Sequence, residues 1–168
     1  MIRDNFIEEI KNVLDASLDC IKILNIKGEV LYINKGGLIE HGFKDRKETK
    51  NWNYLNTIKE KYQLKIKSAL KKSVKGKVSV ITIQHIMKGV KGASNRKWCK
   101  MTFSLVTNLK KEPYILLISR DVSKEKYLEG KLKEKLEKLE KVNNILINRE
   151  NKMFQLKKEL QKYKQNDQ

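Results

Sequence analysis

The sequence predicts an α+β chain: a five-stranded antiparallel sheet with flanking helices, an amphipathic helix before it, and a long coiled-coil helix after it. Two observations support this prediction. Apolar residues form strand-like runs separated by helical segments up to residue 119, whereas after residue 121 they recur every seven residues. The 168 residues suffice for one ordinary domain and an appendage. We therefore expect a leader helix at 1–16, a sheet domain at 17–123, and a dimerising helix at 124–168.

The leader is predicted as an amphipathic helix over residues 4–16. Asp4 is placed to cap it, because a carboxylate there can accept hydrogen bonds from the first free N–H groups. The apolar residues recur at helical spacing and share one face, and they are Phe6, Ile7, Ile10, Val13 and Leu14. This spacing is what predicts an amphipathic helix.

Two strands and a short helix are expected next. Residues 19–25 and 29–34 are typical of a hairpin, and Lys27-Gly28 supplies its turn. Gly36-Gly37 is expected to break the second strand. Residues 38–43 then form a short helix that a glycine ends.

The remaining domain segments complete the sheet. Residues 44–60 are charged and predict short helical turns and a surface loop, whereas residues 61–75 predict an amphipathic helix that stops at Gly76. A loop at 88–95 and a turn at 108–113 separate the last three strands, which are 77–87, 97–107 and 114–119. Five antiparallel strands with helices between the second and third can bury one face of the sheet.

After Asp121 a heptad pattern runs over about four repeats. It predicts a coiled coil and hence a homodimer. The seam residues are Leu132, Leu136, Leu139, Asn143, Leu146, Met153 and Leu160. A buried asparagine such as Asn143 can fix the register at a cost in stability. The alternative is a single helix that folds back on its own domain.

The composition is strongly basic, with 38 lysines and arginines and a net charge of +18. Such a charge favours binding to nucleic acid or an anionic surface. Only five of these residues are arginines, which read bases best, and the lysines are spread over the chain. A solvated surface is therefore the preferred interpretation, nucleic-acid binding is not expected, and polyanion binding stays as the alternative.

The sequence shows no secretory signal and no apolar run long enough to span a bilayer. Cys20 and Cys99 form neither a C-x-x-C pair nor a metal-binding spacing. We expect two small buried side chains, no metal site, and a cytoplasmic location.

Five short motifs occur in an informative order over about residues 10–123. They are Val13 to Ile21, Gly28-x-Val30-x-x-x-Asn34, Leu38 to Phe43, Lys97-Trp98, and Ile118-Ser119-Arg120-Asp121-Val122-Ser123. Together they resemble the PAS domain, a sensory fold, and the last motif resembles the R-D-I-T sequence that starts its signalling helix. Residues 142–160 similarly resemble a helix found beside PAS domains in bacterial two-component proteins.

The resemblance implies a non-catalytic sensory or adaptor module. The signal would pass from the sheet to the helix at Arg120, Asp121 and Ser123, and the chain would act in trans on a histidine kinase or another signalling protein. A ligand-free PAS core on a coiled-coil scaffold is a further alternative.

The residues predict no catalytic chemistry. The sequence has no Gly-rich phosphate loop, no Ser-His-Asp order and no paired-carboxylate pattern. His41 and His85 both fall in the sensor region, which excludes the phospho-accepting histidine of a kinase helix. The resemblance implies that haem would need a histidine on helix 61–75, that flavin would need an N-C-R-F-L-Q sequence, and that hydroxycinnamate would need a suitably placed loop cysteine. The sequence has none of these features, so the cofactor is left unknown.

A small-molecule ligand between sheet and helices is one expectation, and a core filled by its own side chains is the other. The predicted lining residues are Ile21, Ile23, Ile39, Phe43, Trp52, Leu55, Ile66, Leu70, Ile81, Ile83, Met101 and Phe103.

Overall fold

The computed structural model of the chain describes residues 2–86, 96–107 and 111–166. The chain divides into two compact units, the first ending at Ser123 and the second starting at Lys124. The predicted loop at 88–95 and residues 108–110 of the predicted turn lie outside the described residues, as do the side chains of Phe6 and Ile7.

The first unit contains the sheet, and the second consists of one helix. Four α-helices are described: α1 (Ile2–Asp15), α2 (Lys35–His41), α3 (Glu60–Val74) and α4 (Ser123–Asn166). Two 3-10 helices lie between α2 and α3, at Arg46–Thr49 and Tyr54–Thr57. The strands are β1 (Cys20–Leu24), β2 (Val30–Ile33), β3 (Ser79–Ile86), β4 (Arg96–Thr107) and β5 (Pro113–Asp121). The predicted order of elements is confirmed.

The strands form one antiparallel sheet in the order β2-β1-β5-β4-β3. The long strands β4 and β5 pair from Cys99 with Asp121 to Thr107 with Pro113. Helix α3 packs against β3, β4 and β5, whereas α2 packs against β1. The core lies between these helices and one face of the sheet, so the other face is free of them.

Helix α2 begins earlier than the sequence predicts. Asn34 caps it, accepting a hydrogen bond from the Gly37 backbone N–H, so the glycine pair lies inside the helix and not in a break before it. A Cβ at Gly37 would lie 2.5 Å from Ile33 Cγ1 and 2.8 Å from Cys20 Sγ. Glycine is therefore needed for the close approach of α2 to the sheet.

Candidate functional site

The inner face of the sheet and the helices over it form the candidate ligand region. Most of the predicted lining residues lie here. Ile66, Leu70, Ile83, Met101 and Phe103 are buried in the core cluster, and Phe43, Trp52, Leu55 and Ile81 are partly buried against it. Much of the interior is filled by large buried side chains, as ordinary core packing requires; among them are Tyr54, Met101 and Phe103.

Two predicted lining residues lie on the wrong face of the sheet. Ile21 and Ile23 pair with Ile118 and Leu116 of β5, and these positions alternate with Cys20, Lys22 and Leu24, which are buried on the inner side. Ile21 and Ile23 therefore project from the outer face, although Ile21 is 8% exposed, and neither lines the interior under the helices.

A third predicted lining residue, Ile39, is also misplaced. Its side chain is 81% exposed, although its neighbour Leu38 in α2 is buried. Adjacent residues of a helix point about 100° apart. Which of them faces the core cannot be read from seven residues, since the apolar stripe is too short to define a period.

Lys22 is the unexpected residue of the inner face. Its side chain is completely buried, its Nζ donates to Cys20 Sγ at 2.7 Å, and it lies 4.7 Å from the centre of the Tyr54 ring. A buried ammonium is costly unless anions or aromatic faces compensate it. The carboxylate of Glu40 supplies such an attraction from α2.

Around Lys22 the structure brings together a mixed cluster of polar side chains. The ligand atoms of Cys20, Glu40 and His41 all lie within 4.8 Å of one another. On the far side, the His41 ring meets Trp52 edge-on, with 4.9 Å between ring centroids. The interior beside α2 is therefore polar and aromatic, unlike the aliphatic interior beneath α3.

Burial controls the protonation of this interior. It raises the pKa of Glu40 against the opposing pull of Lys22, and it raises the pKa of Cys20. Burial also raises the pKa of Cys99 to about 12. Both cysteines are buried free thiols, as predicted, and neither is a thiolate nucleophile in this state.

Sequence reasoning missed Lys22 and Glu40 as members of this polar cluster. A usable signal existed in β1, where strict alternation places Cys20 and Lys22 on the face of Leu24. Lysine is almost never fully buried, so alternation alone does not predict that Lys22 lies inside.

The junction between the sheet and α4 holds the predicted signal-transfer residues. Arg120 forms an ion pair with Asp19 just before β1, with Nη2 2.7 Å from Oδ2. Asp121 forms one with Lys97 of β4, with Nζ 2.9 Å from Oδ2. Neither partner was predicted, because both come from distant parts of the sequence.

Asp121 and Ser123 make different hydrogen bonds at the start of α4. Asp121 Oδ1 accepts a hydrogen bond from the Ser123 N–H at 3.0 Å, whereas Ser123 Oγ accepts one from the Trp98 N–H at 2.9 Å. Burial alone would raise the pKa of Asp121, but the hydrogen bond from Ser123 and the ion pair with Lys97 hold it below its ordinary value. The helix start is thereby tied to β4 as well as β5.

The predicted dimerisation residues line α4. The apolar members are between 51% and 64% exposed, and Asn143 is exposed too; these members are Leu132, Leu136, Leu139, Leu146, Met153 and Leu160. A helix of 44 residues with a charged surface and one apolar stripe is typical of a coiled-coil strand.

The lysines are less evenly spread than the sequence indicates. Helix α3 lies between two open grooves of about 880 and 700 Å³. The lysines that line them are Lys27, Lys65, Lys67, Lys71, Lys72, Lys75 and Lys77, and none of the described lining residues is acidic. This surface is therefore strongly positive.

Among the described helices, none combines the length and the apolar character that crossing a membrane requires.

The comparisons with known proteins bear on the fold. No family model matches the sequence, and no curated protein matches it. Solved structures do match. A PAS domain of an HTR-like protein from Haloarcula marismortui has a TM-score of 0.55 at 17% identity, covering 70% of this chain and 98% of that one. A PAS domain from a two-component sensor histidine kinase has a TM-score of 0.56 at 10% identity, covering 71% of this chain and 98% of that one.

A third structure is larger. An RNA-binding light-oxygen-voltage receptor has a TM-score of 0.62 at 13% identity, and the match covers 77% of this chain but 37% of the receptor. At these identities the likeness establishes the fold alone. The sheet, its order and the helices over its inner face therefore show that this chain contains a domain of the PAS fold.

Proposed function

We propose that this chain is a non-catalytic sensory module in signal transduction. In this proposal residues 17–123 sense a ligand or partner, residues 124–168 form a coiled coil with a second copy, and α1 (within residues 1–16) adds to the dimer. The sensor histidine kinases among the structural neighbours support a signalling role. A histidine kinase or another regulator would receive the signal in trans.

One observation carries the proposal: the exposed apolar stripe of α4. Six apolar seam residues of this helix keep half or more of their side-chain surface in contact with water. Single polar helices of this kind are marginal in water, since most helical stability in proteins comes from burying an apolar face. A second copy presenting the same stripe is the partner that a heptad pattern fits.

The route for the signal follows the junction. Asp19 begins the segment that leads into β1, and its carboxylate holds Arg120 at the end of β5. Exposed ion pairs contribute little stability, so this pair is better suited to set position than to hold the fold together. A shift of β1 against β5 would then move the start of α4 and change the packing of the two helices.

The dimer is tested by light scattering coupled to size exclusion. We expect the wild-type chain to be a dimer at micromolar concentration, and we expect Leu139→Asp to give a monomer, because it places a charge in the seam. Lys141→Asp is the matched control: it introduces the same residue on the outer side of the helix and should leave the dimer intact.

The two outcomes that contradict the dimer are clear. If the wild-type chain is a monomer at these concentrations, there is no second helix whose packing against α4 could change, and the proposed signal relay is excluded. Equal dimerisation of Leu139→Asp and wild type, with helical circular dichroism preserved in both, would show that α4 does not form the interface.

Polyanion binding is a second candidate, favoured by the grooves beside α3. Lys65 and Lys72 line the larger groove together with Lys75 and Lys77. A run of lysines along one helix without acidic neighbours in the grooves suits a phosphate backbone. One structural neighbour is an RNA-binding receptor, which gives this candidate some further support.

Titration with duplex DNA at rising salt distinguishes this candidate. Real binding gives a steep fall of log K with log salt, and Lys65→Glu with Lys72→Glu should flatten the slope by about one unit per lost phosphate contact. Lys131→Glu with Lys141→Glu changes the net charge equally on α4 and serves as the control. No binding near about 0.15 M salt would end this candidate.

A further inference from the structure

We infer that Cys20, Glu40 and His41 form a binding site for a divalent transition-metal ion of the zinc type. Their three ligand atoms lie within 4.8 Å of one another, a group found within the described part of the chain. The residues come from β1 and from the C-terminal end of α2, two elements that pack together. Sequence spacing could not show the site, because the fold alone brings these residues together.

The donor set identifies the class of metal. A thiolate, an imidazole nitrogen and a carboxylate oxygen suit zinc, which binds all three ligand types in tetrahedral sites. Calcium and magnesium prefer oxygen ligands alone and are disfavoured by the sulfur. Ligand atoms around a tetrahedral zinc lie about 3.6 Å apart, so side-chain rotation is enough to close the observed cluster.

A second observation lies beside the cluster. Ser119 of β5 pairs directly with Cys20 in the sheet, so both side chains are on the inner face. Ser119 is 1% exposed. Its Oγ makes no hydrogen bond of standard geometry within the described residues, although it lies close enough to the Tyr54 hydroxyl to offset part of the rise that burial causes in the pKa of that group. Water in the fourth position of the metal, which catalytic zinc sites allow, would give the Ser119 hydroxyl a further hydrogen-bond partner.

Lys22 is the resident cation of the metal-free protein. Its Nζ lies 2.7 Å from Cys20 Sγ, and its charge is attracted by Glu40. The ammonium and the metal ion would therefore compete for the same two ligands, and metal binding would require the Cys20 thiol to lose its proton. Binding requires Lys22 to swing away towards the rings of Tyr54 and Trp52, which already lie 4.7 and 6.0 Å from Nζ.

The metal would link α2 to the beginning of β1. Cys20 follows Asp19, whose carboxylate holds Arg120 at the start of the junction. A bound metal would thus be the stimulus that the proposed sensory module detects. The step from metal binding to a change in α4 rests on that proposed function. Metal binding itself does not depend on the dimer.

The test uses the full chain, purified reduced and free of metal, and titrated with Zn²⁺ against a chromophoric chelator. We expect one Zn²⁺ per chain. Cys20→Ser and His41→Gln should each weaken binding by more than the roughly 10–100-fold that losing an outer-sphere partner costs. Cys99→Ser removes the other buried thiol and should leave the affinity unchanged.

A second probe identifies the sulfur ligand. Co²⁺ should give a thiolate-to-metal charge-transfer band that Cys20→Ser abolishes and Cys99→Ser retains. No Zn²⁺ binding by the wild-type chain, or equal binding by wild type, Cys20→Ser and His41→Gln, would overturn the site.

Lys22→Met should change the affinity for Zn²⁺ in the opposite direction from Cys20→Ser and His41→Gln. Removing the competing ammonium should tighten Zn²⁺ binding by about tenfold or more. Weaker binding by a folded Lys22→Met chain would contradict the competition. Leu139→Asp should bind Zn²⁺ like wild type, so failure of the dimer and failure of the metal site remain distinguishable.

Discussion

Asn34 shows how one side chain joins three elements of this domain. It is completely buried. Its Oδ1 accepts hydrogen bonds from the N–H groups of Ile21 and Gly37, both at 2.9 Å. Its Nδ2 donates to the carbonyl oxygens of Leu14 and Asp19, also at 2.9 Å. The amide therefore satisfies backbone groups at the end of α1, the start of β1 and the first turn of α2.

We expect Asn34→Ala to lower the free energy of unfolding by about 2 kcal/mol or more, because it leaves several buried backbone groups without partners. Urea denaturation followed by circular dichroism measures the change. Asn56→Ala, at an exposed site in a 3-10 helix, is the control and should be close to neutral. A loss for Asn34→Ala no larger than that of the control would contradict the role given to this amide.

At the scale of elements, α4 gains little stability from contacts within its own sequence. Pairs of lysine and glutamate stabilise it locally, such as Lys138 with Glu134 at 2.8 Å, but exposed pairs of this kind contribute little. Gly130 lies inside the helix, and a Cβ there would meet nothing within 4 Å. The glycine weakens the segment of α4 that follows the junction.

We therefore expect Gly130→Ala to stabilise α4 by up to about 1 kcal/mol, since alanine loses less backbone entropy. Thermal unfolding followed at the helical circular dichroism band measures this, with the dimer state checked in parallel. Gly42→Ala is the contrasting variant: Gly42 ends α2 with φ of 71°, where a side chain is strained, so its melting temperature should fall. A lower melting temperature for Gly130→Ala would refute this account of α4.

At the scale of the whole molecule, charge and pH act together. The net charge of +18 opposes compact folding, so each carboxylate that pairs with a cation matters. Asp15 joins three segments, accepting from the Lys35 N–H at 2.9 Å and pairing with Arg46 of the first 3-10 helix. Burial alone would raise the pKa of Asp15, but the hydrogen bond from Arg46 and that from the Lys35 backbone lower it.

A carboxyl whose pKa is lower in the folded chain contributes stability above its unfolded pKa and loses it as pH falls through the folded value. We expect Asp15→Asn to be destabilising near neutral pH and to converge with wild type as pH falls through the lowered pKa of Asp15. Denaturant midpoints at a series of pH values measure this. Glu137→Gln, on the outer side of α4, should run parallel to wild type, and an Asp15→Asn difference that does not change with pH would exclude the ion pair as its cause.

Local sequence patterns determined the order of strands and helices, the glycine stops and the seven-residue stripe of α4. Each depends on contacts within a few residues, so the hydrophobic period records it directly. The five motifs that resemble a PAS domain predicted the same fold that the solved structures show.

Only the tertiary structure decided what the interior is. It placed Lys22 inside and Ile39 outside, turned Ile21 and Ile23 to the outer face, and brought Glu40 and His41 to Cys20. These are properties of pairs of distant residues, and a buried charge is stable only through partners that the local pattern does not contain. The stripe of α4 was readable from the sequence because it repeats, whereas the polar cluster was not, because it occurs once and is assembled by folding.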